Sequence, residues 1–228
     1  MKQIDVLGVV FDNIDISEAV ERALSAIPSR KAAFALVMGA QQTLQVSRSP
    51  KLMRILEDAL LILPGDRSLF AAAGIMGLPL SYKMGAQDFS AALLARISGG
   101  SGSVFLLTDV AGIAQRAADD ISYRFPGINV VGAEDIRYLQ DEEILEAVNR
   151  ARPDMVILSM DFYMQMRLIH VLGPVMDTGL ILGIGRAMEA YTVRRRGDSF
   201  FVRLKKEPGR VLRGPYILLA AVKKRIFG

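Results

Sequence analysis

Short apolar runs alternate along the chain with longer segments in which apolar residues recur every three or four positions. The runs span residues 34–38, 60–63, 104–107, 128–131, 155–160 and 180–184. Several are apolar throughout, as in parallel strands that helices cover on both faces. This alternation is typical of βα units. It predicts an α/β fold with a Rossmann-like parallel sheet of about six strands flanked by helices.

Three helix starts can be read from the sequence, two of them from capping residues. Asp15 can accept a hydrogen bond from the first helical turn, with Glu18 reaching back in a capping box. Ser49 precedes Pro50, which suits the first helical position because proline has no amide hydrogen to leave unpaired. The third helix follows Gln87 and ends near the glycines at 99–100.

Composition limits the setting in which the chain works. Hydrophobic residues make up 51% of the 228 residues, enough for a buried core, and there is no cysteine. Disulfides, thiolate metal sites and a cysteine nucleophile are therefore excluded, and a reducing cytoplasm is the expected location. Asp5 interrupts the start where a signal peptide would be apolar, and no run approaches the roughly 20 apolar residues of a membrane span. We expect a chain that is neither secreted nor membrane-spanning.

Charge divides the chain into two parts. After Ala190 there are eleven lysines and arginines against Asp198 and Glu207, a net charge of +9. The first 190 residues carry 17 basic and 22 acidic side chains, a net charge of −5. We therefore predict an α/β domain at residues 1–190 and a basic appendage at residues 191–228.

The basic appendage has a composition that suits a membrane surface. Its apolar stretch, 211–227, is framed by Arg210 and Arg213 in front and by the basic residues 223–225 behind. Such framing favours an interfacial helix on an anionic membrane, and a solvated helix packed on the domain is the alternative. Nucleic acid is not an expected partner because aromatic residues are few and no reading-helix motif is present.

Polar residues just after the predicted strands are candidates for a site, since ligands of open parallel sheets bind beyond the carboxyl ends of the strands. In chain order they are Gln41, Gln42, Thr43, Asp66, Arg67, Thr108, Asp109, Glu134, Asp135, Asp161, Gln165, Arg186 and Glu189. Asp66 can act as a general base toward an attacking hydroxyl, or it can cap a helix that begins near Ser68. Both interpretations stay open.

Two features argue against cofactor and metal chemistry. Gly183-Ile184-Gly185 opens like a dinucleotide fingerprint, but Met188 stands where a small residue is needed and the arginines 194–196 follow. The single histidine, His170, has no acidic neighbours and cannot build a metal site or a triad alone. We expect neither a cofactor nor a bound metal.

Read in order, short motifs resemble the WecG/TagA/CpsF glycosyltransferase family over nearly the whole chain. They are Val6-Leu7-Gly8-Val9, Ile16-Ser17-Glu18-Ala19-Val20, Ser49-Pro50-Lys51-Leu52, Leu61-Ile62-Leu63-Pro64, Gly77-Leu78-Pro79-Leu80, Gly85-Ala86-Gln87-Asp88-Phe89, Val104-Phe105-Leu106-Leu107, Phe125-Pro126-Gly127, and Glu207-Pro208-Gly209-Arg210 with Arg213. Each motif alone is weakly specific. Their order and spacing carry the resemblance.

The resemblance implies a reaction and its partners. The family transfers an N-acetylmannosamine-type sugar from a UDP donor to an undecaprenyl-diphosphate-linked amino sugar, with inversion, in cell-surface polysaccharide synthesis. A UDP-sugar and a polyprenyl-diphosphate-linked acceptor are thus the expected partners. The basic appendage would meet the acceptor diphosphate and an anionic membrane surface, which places the protein peripherally on the inner face of the membrane. Self-association into a homo-oligomer is a further expectation.

The chain departs from the family pattern where the family keeps its chemistry. Val37 and Gly39 correspond to the family's threonine and asparagine after the first strand. Gly65 corresponds to the aspartate thought to be the base, and Asp66 is displaced by one residue. Such changes leave two hypotheses open. One is a transferase with an altered donor or acceptor, and the other is a non-catalytic relative that binds a nucleotide sugar, a lipid diphosphate or a protein.

Under the transferase hypothesis, Asp66 is the expected catalytic base. Gln165 is the one residue kept from the family's Gly-x-Pro-x-Gln-Glu segment, and Glu189 keeps the acid of a Phe-Asp pair. The expected substrate-binding residues are Gln41, Thr43, Gln87, Asp88, Gln165, Glu189, Arg210 and Arg213.

Overall fold

The computed structural model of the protein describes residues 3–191. An antiparallel hairpin comes first, formed by β1 (Gln3–Val6) and β2 (Val9–Asp12). Its two turn residues, Leu7 and Gly8, have φ angles of 59° and 88°. Positive φ at both positions matches the twist of a two-residue hairpin. The strand pattern read from the sequence does not include this hairpin.

Strands and helices then alternate along the chain. In order they are α1 (Ile16–Ala26), β3 (Ala33–Met38), α2 (Ala40–Ser47), α3 (Pro50–Glu57), β4 (Leu61–Pro64), α4 (Arg67–Ile75), α5 (Ala86–Ser98), β5 (Ser103–Thr108), α6 (Ile113–Arg124), β6 (Asn129–Asp135), α7 (Asp141–Ala151), β7 (Met155–Ser159), α8 (Phe162–Val171) and β8 (Leu180–Gly183). Short 3-10 helices occupy Ile27–Ser29, Ile136–Tyr138, Gly173–Val175 and Ala187–Tyr191.

Strands β3 to β8 form one parallel sheet in the order β4-β3-β8-β7-β5-β6. Each of the six apolar runs is a strand of this sheet, so the predicted α/β class and strand count are confirmed. The largest difference is at β6, which continues to Asp135 beyond the predicted run. Its side chains are mostly half-buried, because β6 is an edge strand, and polar residues there do not end the pairing with β5.

Two apolar layers cover the two faces of the sheet. Helices α1, α5 and α6 pack on one face, and α2, α3, α4, α7, α8 and the hairpin pack on the other. Alternate residues of each strand feed the two layers, as the period of a β-strand requires. In β3, for example, Leu36 belongs to the layer with the hairpin and Ala35 to the opposite layer. Burial on both faces explains why the strands are almost entirely apolar.

Two of the predicted helix starts carry the predicted side-chain caps, whereas α5 begins after Gly85 without one. The Asp15 Oδ1 atom accepts from the amide of Glu18 at 2.9 Å, and Ser49 Oγ accepts from the amide of Leu52 at 3.3 Å. Helix α5 begins one residue before Gln87. These local signals are confirmed because a cap needs only the residues of one helical turn.

The basic appendage predicted at residues 191–228 lies outside the described residues except for Tyr191. Within residues 3–191, no helix combines the length and apolar character needed to cross a membrane.

Candidate functional site

A cleft of about 560 Å³ opens at the carboxyl ends of β3, β4 and β8. The segments that follow these strands contribute Gly39, Asp66 and Arg186 to its lining, and the start of α5 contributes Gln87 and Asp88. This position is where open parallel sheets bind their ligands, because loops from neighbouring strands diverge there.

Three helices begin at the cleft. The first turns of α2, α4 and α5 supply lining residues: Ala40, Gln41 and Gln42 from α2, Ser68 from α4, and Ala86, Gln87 and Asp88 from α5. A helix amino terminus carries partial positive charge and amide hydrogens that no helical carbonyl accepts. Such ends attract negatively charged groups, and the Asp66 carboxylate already accepts amides at the starts of α2 and α4.

Asp66 joins two of these helices. Its Oδ1 atom accepts from the amide of Leu69 at 2.8 Å and so caps α4, while its Oδ2 atom accepts from the amide of Ala40, the first residue of α2, at 3.0 Å. The carboxylate is half-buried at the cleft wall. The capping interpretation is confirmed by these distances, and the carboxylate also stays in the cleft that a substrate would enter.

The departures from the family pattern are linked through space. A Cβ atom at Gly39 would lie 1.9 Å from Asp66 Oδ2, and a Cβ atom at Gly65 would lie 2.8 Å from Cγ1 of Val37. The Asp66 carboxylate therefore fills the space beside β3 that a side chain at position 39 would need. Likewise, Val37 closes the space at position 65. Gly39 and Gly65 thus each leave space for a neighbouring side chain, Asp66 and Val37 respectively.

The structure brings together six of the sequence-predicted site residues. The cleft is lined by Gln41, Gln42, Asp66, Gln87, Asp88 and Arg186. Gln41 is half-buried in α2, whereas Gln87 and Asp88 are exposed on the first turn of α5. Three side-chain amides, two carboxylates and one guanidinium thus line the cleft.

Thr43 and Gln165 lie behind this lining. The Thr43 hydroxyl is buried and donates to the carbonyl of Gly39 at 2.8 Å. The Gln165 amide is also buried, and its Nε2 atom donates to the carbonyl of Met160 at 2.7 Å. Both side chains hold the backbone near the cleft instead of facing its interior. Glu189 lies on the Ala187–Tyr191 helix, 3.9 Å from the Arg186 guanidinium, and Arg210 and Arg213 lie outside the described residues.

Charged side chains also meet at the carboxyl ends of β5, β6 and β7. Glu134 and Asp135, predicted to follow a strand, are instead the last two residues of β6. Asp109, which follows β5, accepts from the Arg186 guanidinium at 3.0 Å and from the amide of Asp161 at 3.2 Å. At the far edge of the sheet, the Arg137 guanidinium hydrogen-bonds Asp135 and holds the pKa of that carboxyl below its ordinary value. The rule that places ligands after parallel strands identifies Arg186, but its pairing with Asp109 depends on the tertiary fold.

Tyr191 packs against α5, the helix whose first turn lines the cleft. Its hydroxyl lies 2.8 Å from Ser90 Oγ on α5, and the Arg124 guanidinium stands 5.6 Å from the centre of its ring. Burial raises the pKa of the Tyr191 hydroxyl above its ordinary value, since the phenolate would lose its solvation there. Tyr191 thus ties the segment after β8 to the helix that begins at the cleft.

Fold and cleft together define a doubly wound α/β protein with a polar cleft at the carboxyl edge of its sheet. A family model described as glycosyl transferase WecG/TagA/CpsF family matches residues 4–227. The chain belongs to this family, which confirms the resemblance read from the sequence.

Two bacterial proteins are examples of relatives that this chain is similar to. An N-acetylglucosaminyldiphosphoundecaprenol N-acetyl-beta-D-mannosaminyltransferase of Bacillus spizizenii (strain ATCC 23059 / NRRL B-14472 / W23) is 22% identical over 183 residues, which cover 79% of this chain and 71% of the relative. A protein of the same name from Staphylococcus aureus (strain NCTC 8325 / PS 47) is 20% identical over 208 residues, covering 90% of this chain and 82% of the relative.

Proposed function

We propose that this chain is an inverting glycosyltransferase of cell-surface polysaccharide synthesis. It would move an N-acetylmannosamine-like sugar from a UDP donor to an undecaprenyl-diphosphate-linked amino sugar. The match of residues 4–227 to a family of glycosyl transferases carries the proposal. The names of the two relatives support the transferred sugar and the acceptor.

The cleft supports binding of a sugar nucleotide. Its volume of about 560 Å³ lies within the range of small-molecule sites, roughly 300–1,000 Å³. Amides at the starts of α2 and α5 suit the donor diphosphate, and the polar side chains of Gln41 and Gln87 suit hydroxyl groups of a sugar.

In the proposed reaction, a hydroxyl oxygen of the acceptor sugar attacks the anomeric carbon of the donor. The carbon–oxygen bond to UDP breaks as the new glycosidic bond forms, and UDP leaves with the bonding electrons. We assign the departing hydroxyl proton to Asp66. A carboxylate has about four lone-pair sites, so each Asp66 oxygen keeps one after accepting a backbone amide.

The test is Asp66→Asn, measured by sugar transfer and by calorimetric titration with UDP-N-acetylmannosamine. Loss of a general base lowers the rate by about 10²- to 10⁴-fold, and donor affinity should stay nearly unchanged. Asp15→Asn is the matched control, since Asp15 also caps a helix but does not line the cleft. Equal loss of transfer and binding, or no loss of transfer, would refute the assignment to Asp66.

One observation favours a second candidate, a non-catalytic relative that binds a nucleotide sugar or a lipid diphosphate. Both Asp66 oxygens already cap helices, and Val37, Gly39 and Gly65 place no polar side chain at the positions where the family has three. This candidate predicts that the unchanged chain binds a UDP-sugar and transfers nothing to a polyprenyl-diphosphate-linked acceptor.

A further inference from the structure

Arg186 is the one basic side chain among the described residues that line the cleft. The same lining carries two carboxylates, Asp66 and Asp88. Side chains alone therefore give the lining a net negative charge, which opposes an anionic ligand. A diphosphate entering here needs a positive group that stays in place, in addition to the helix amino termini.

The Arg186 side chain is anchored at its far end. One terminal nitrogen of the guanidinium donates to Asp109 Oδ2 at 3.0 Å, so the side chain reaches from the end of β8 across the end of β7 to the residue after β5. The other oxygen of Asp109, Oδ1, is buried and has no hydrogen-bond partner within residues 3–191. The other terminal nitrogen lies 3.9 Å from Glu189 Oε1, and these two contacts use only part of a guanidinium that offers five N–H donors in all.

The backbone around Arg186 is held as well. Gly185 has a φ of 57°, a left-handed conformation that lets the chain turn directly after β8. The amide of Ile184 donates to the carbonyl of Leu158 at 3.0 Å, and the amide of Met188 donates to Ser159 Oγ at 3.2 Å. Both ends of the turn are thus fastened to β7. Binding loses less conformational entropy when a cation is held this way in advance.

We propose that Arg186 binds a diphosphate group in the cleft. The inference rests on the proposed function, because both substrates of that reaction carry a diphosphate ester: the nucleotide sugar and the polyprenyl-linked acceptor. The planar guanidinium can hold two oxygens of such a group at once, which an ammonium cannot.

The full-length protein is titrated calorimetrically with UDP and, separately, with geranyl diphosphate. Arg186→Ala should lower the affinity for one of the two ligands by at least about tenfold, which is the effect of losing one charge-assisted hydrogen bond. Weakened UDP assigns Arg186 to the donor, and weakened geranyl diphosphate assigns it to the acceptor. The affinity of Arg186→Lys for that ligand should lie between those of the unchanged protein and of Arg186→Ala, since lysine keeps the charge and loses the two-point contact. Unchanged affinity for both ligands overturns the proposal.

Two controls separate binding from structure. The double variant Arg186→Ala/Asp109→Asn removes the carboxylate that Arg186→Ala leaves unpaired, and it should lose as much affinity as the single variant. Restored affinity in the double variant would mean that the stranded Asp109 charge had repelled the ligand, and would overturn the proposal. Arg137→Ala breaks a comparable arginine–carboxylate pair outside the cleft lining and should leave affinity unchanged. An equal loss there would also overturn it.

Failure of the proposed function looks different. If the unchanged protein binds neither UDP nor geranyl diphosphate, both the proposed glycosyltransferase function and the role of Arg186 are wrong. If the unchanged protein binds and Arg186→Ala binds equally well, only the assignment of Arg186 is wrong. Thermal unfolding of each variant shows that the compared proteins are folded.

Discussion

Because Gly39 has no side chain, the Asp66 carboxylate can occupy the space beside it at the end of β3. A side chain at Gly39 and the present position of Asp66 exclude each other, because the added Cβ atom would lie 1.9 Å from Oδ2. The same carboxylate fastens the starts of α2 and α4 through the amides of Ala40 and Leu69. A change at one residue therefore reaches two helices and the cleft between them.

We expect Gly39→Ala to lower the free energy of unfolding by about 1–3 kcal/mol, because the Asp66 carboxylate must move and its amide partners lose their acceptor. Gly74→Ala is the matched control. Gly74 lies in α4 with nothing within 4 Å of an added Cβ atom, so alanine should stabilise by about 0.5–1 kcal/mol. Urea denaturation of the three proteins measures both effects. A Gly39→Ala protein as stable as the unchanged one would show that Asp66 is not confined.

At the scale of elements, the short helix Ala187–Tyr191 connects the cleft with the apolar layer that contains α5 and α6. It begins directly after Arg186 and ends at Tyr191, whose ring packs with α5 and α6. The Ser90–Tyr191 hydrogen bond of 2.8 Å is its buried polar contact with α5. The orientation of Arg186 thus depends on how this helix docks.

Tyr191→Phe should cost about 1 kcal/mol of unfolding free energy at neutral pH, since one buried hydrogen bond is lost. The cost should shrink at alkaline pH. Burial raises the folded-state pKa of Tyr191 above its unfolded value of 10.0, so the tyrosine's contribution is fully present below pH 10 and is lost as pH rises further. Stability curves measured between pH 7 and pH 11 test this. A difference between the proteins that does not change above pH 10 would contradict the prediction.

At the scale of the whole molecule, charge separates residues 1–190, with a net charge of −5, from residues 191–228, with a net charge of +9. A basic segment next to an anionic membrane gains about 1 kcal/mol per lysine or arginine near the surface. The domain alone has the opposite charge and would be repelled. Membrane contact is therefore expected to depend on the basic appendage.

Deleting residues 195–228 should abolish cosedimentation with anionic phosphatidylserine-containing vesicles while the protein still unfolds cooperatively. The deletion keeps Tyr191 and all described elements. Replacing Lys223, Lys224 and Arg225 by glutamine in the full-length chain is a milder test of charge, and binding should weaken with added salt because the attraction is screened. Sedimentation of the truncated protein with these vesicles would refute a membrane role for the basic appendage.

Local and periodic features were predictable from the sequence. The six strands of the sheet, the caps at Asp15 and Ser49, and the class of fold follow from residues that are neighbours along the chain. The hairpin β1–β2 was missed, although its apolar residues at 4, 6, 9 and 11 are all buried. Its turn carries Leu7 at positive φ, a conformation that leucine adopts rarely and that composition does not signal.

The sequence by itself determined the α/β class and the family, because both depend on apolar periodicity and on the order of short motifs. Only the tertiary structure decided which polar residues share a cleft. Asp66 reaches an amide 26 positions away, and Arg186 reaches a carboxylate 77 positions away. It also placed Thr43 and Gln165 behind the cleft lining, although they follow strands as Gln41 and Asp66 do. Contacts between distant segments depend on strand order and on side-chain direction. Neither can be predicted from the spacing of residues that are neighbours along the chain.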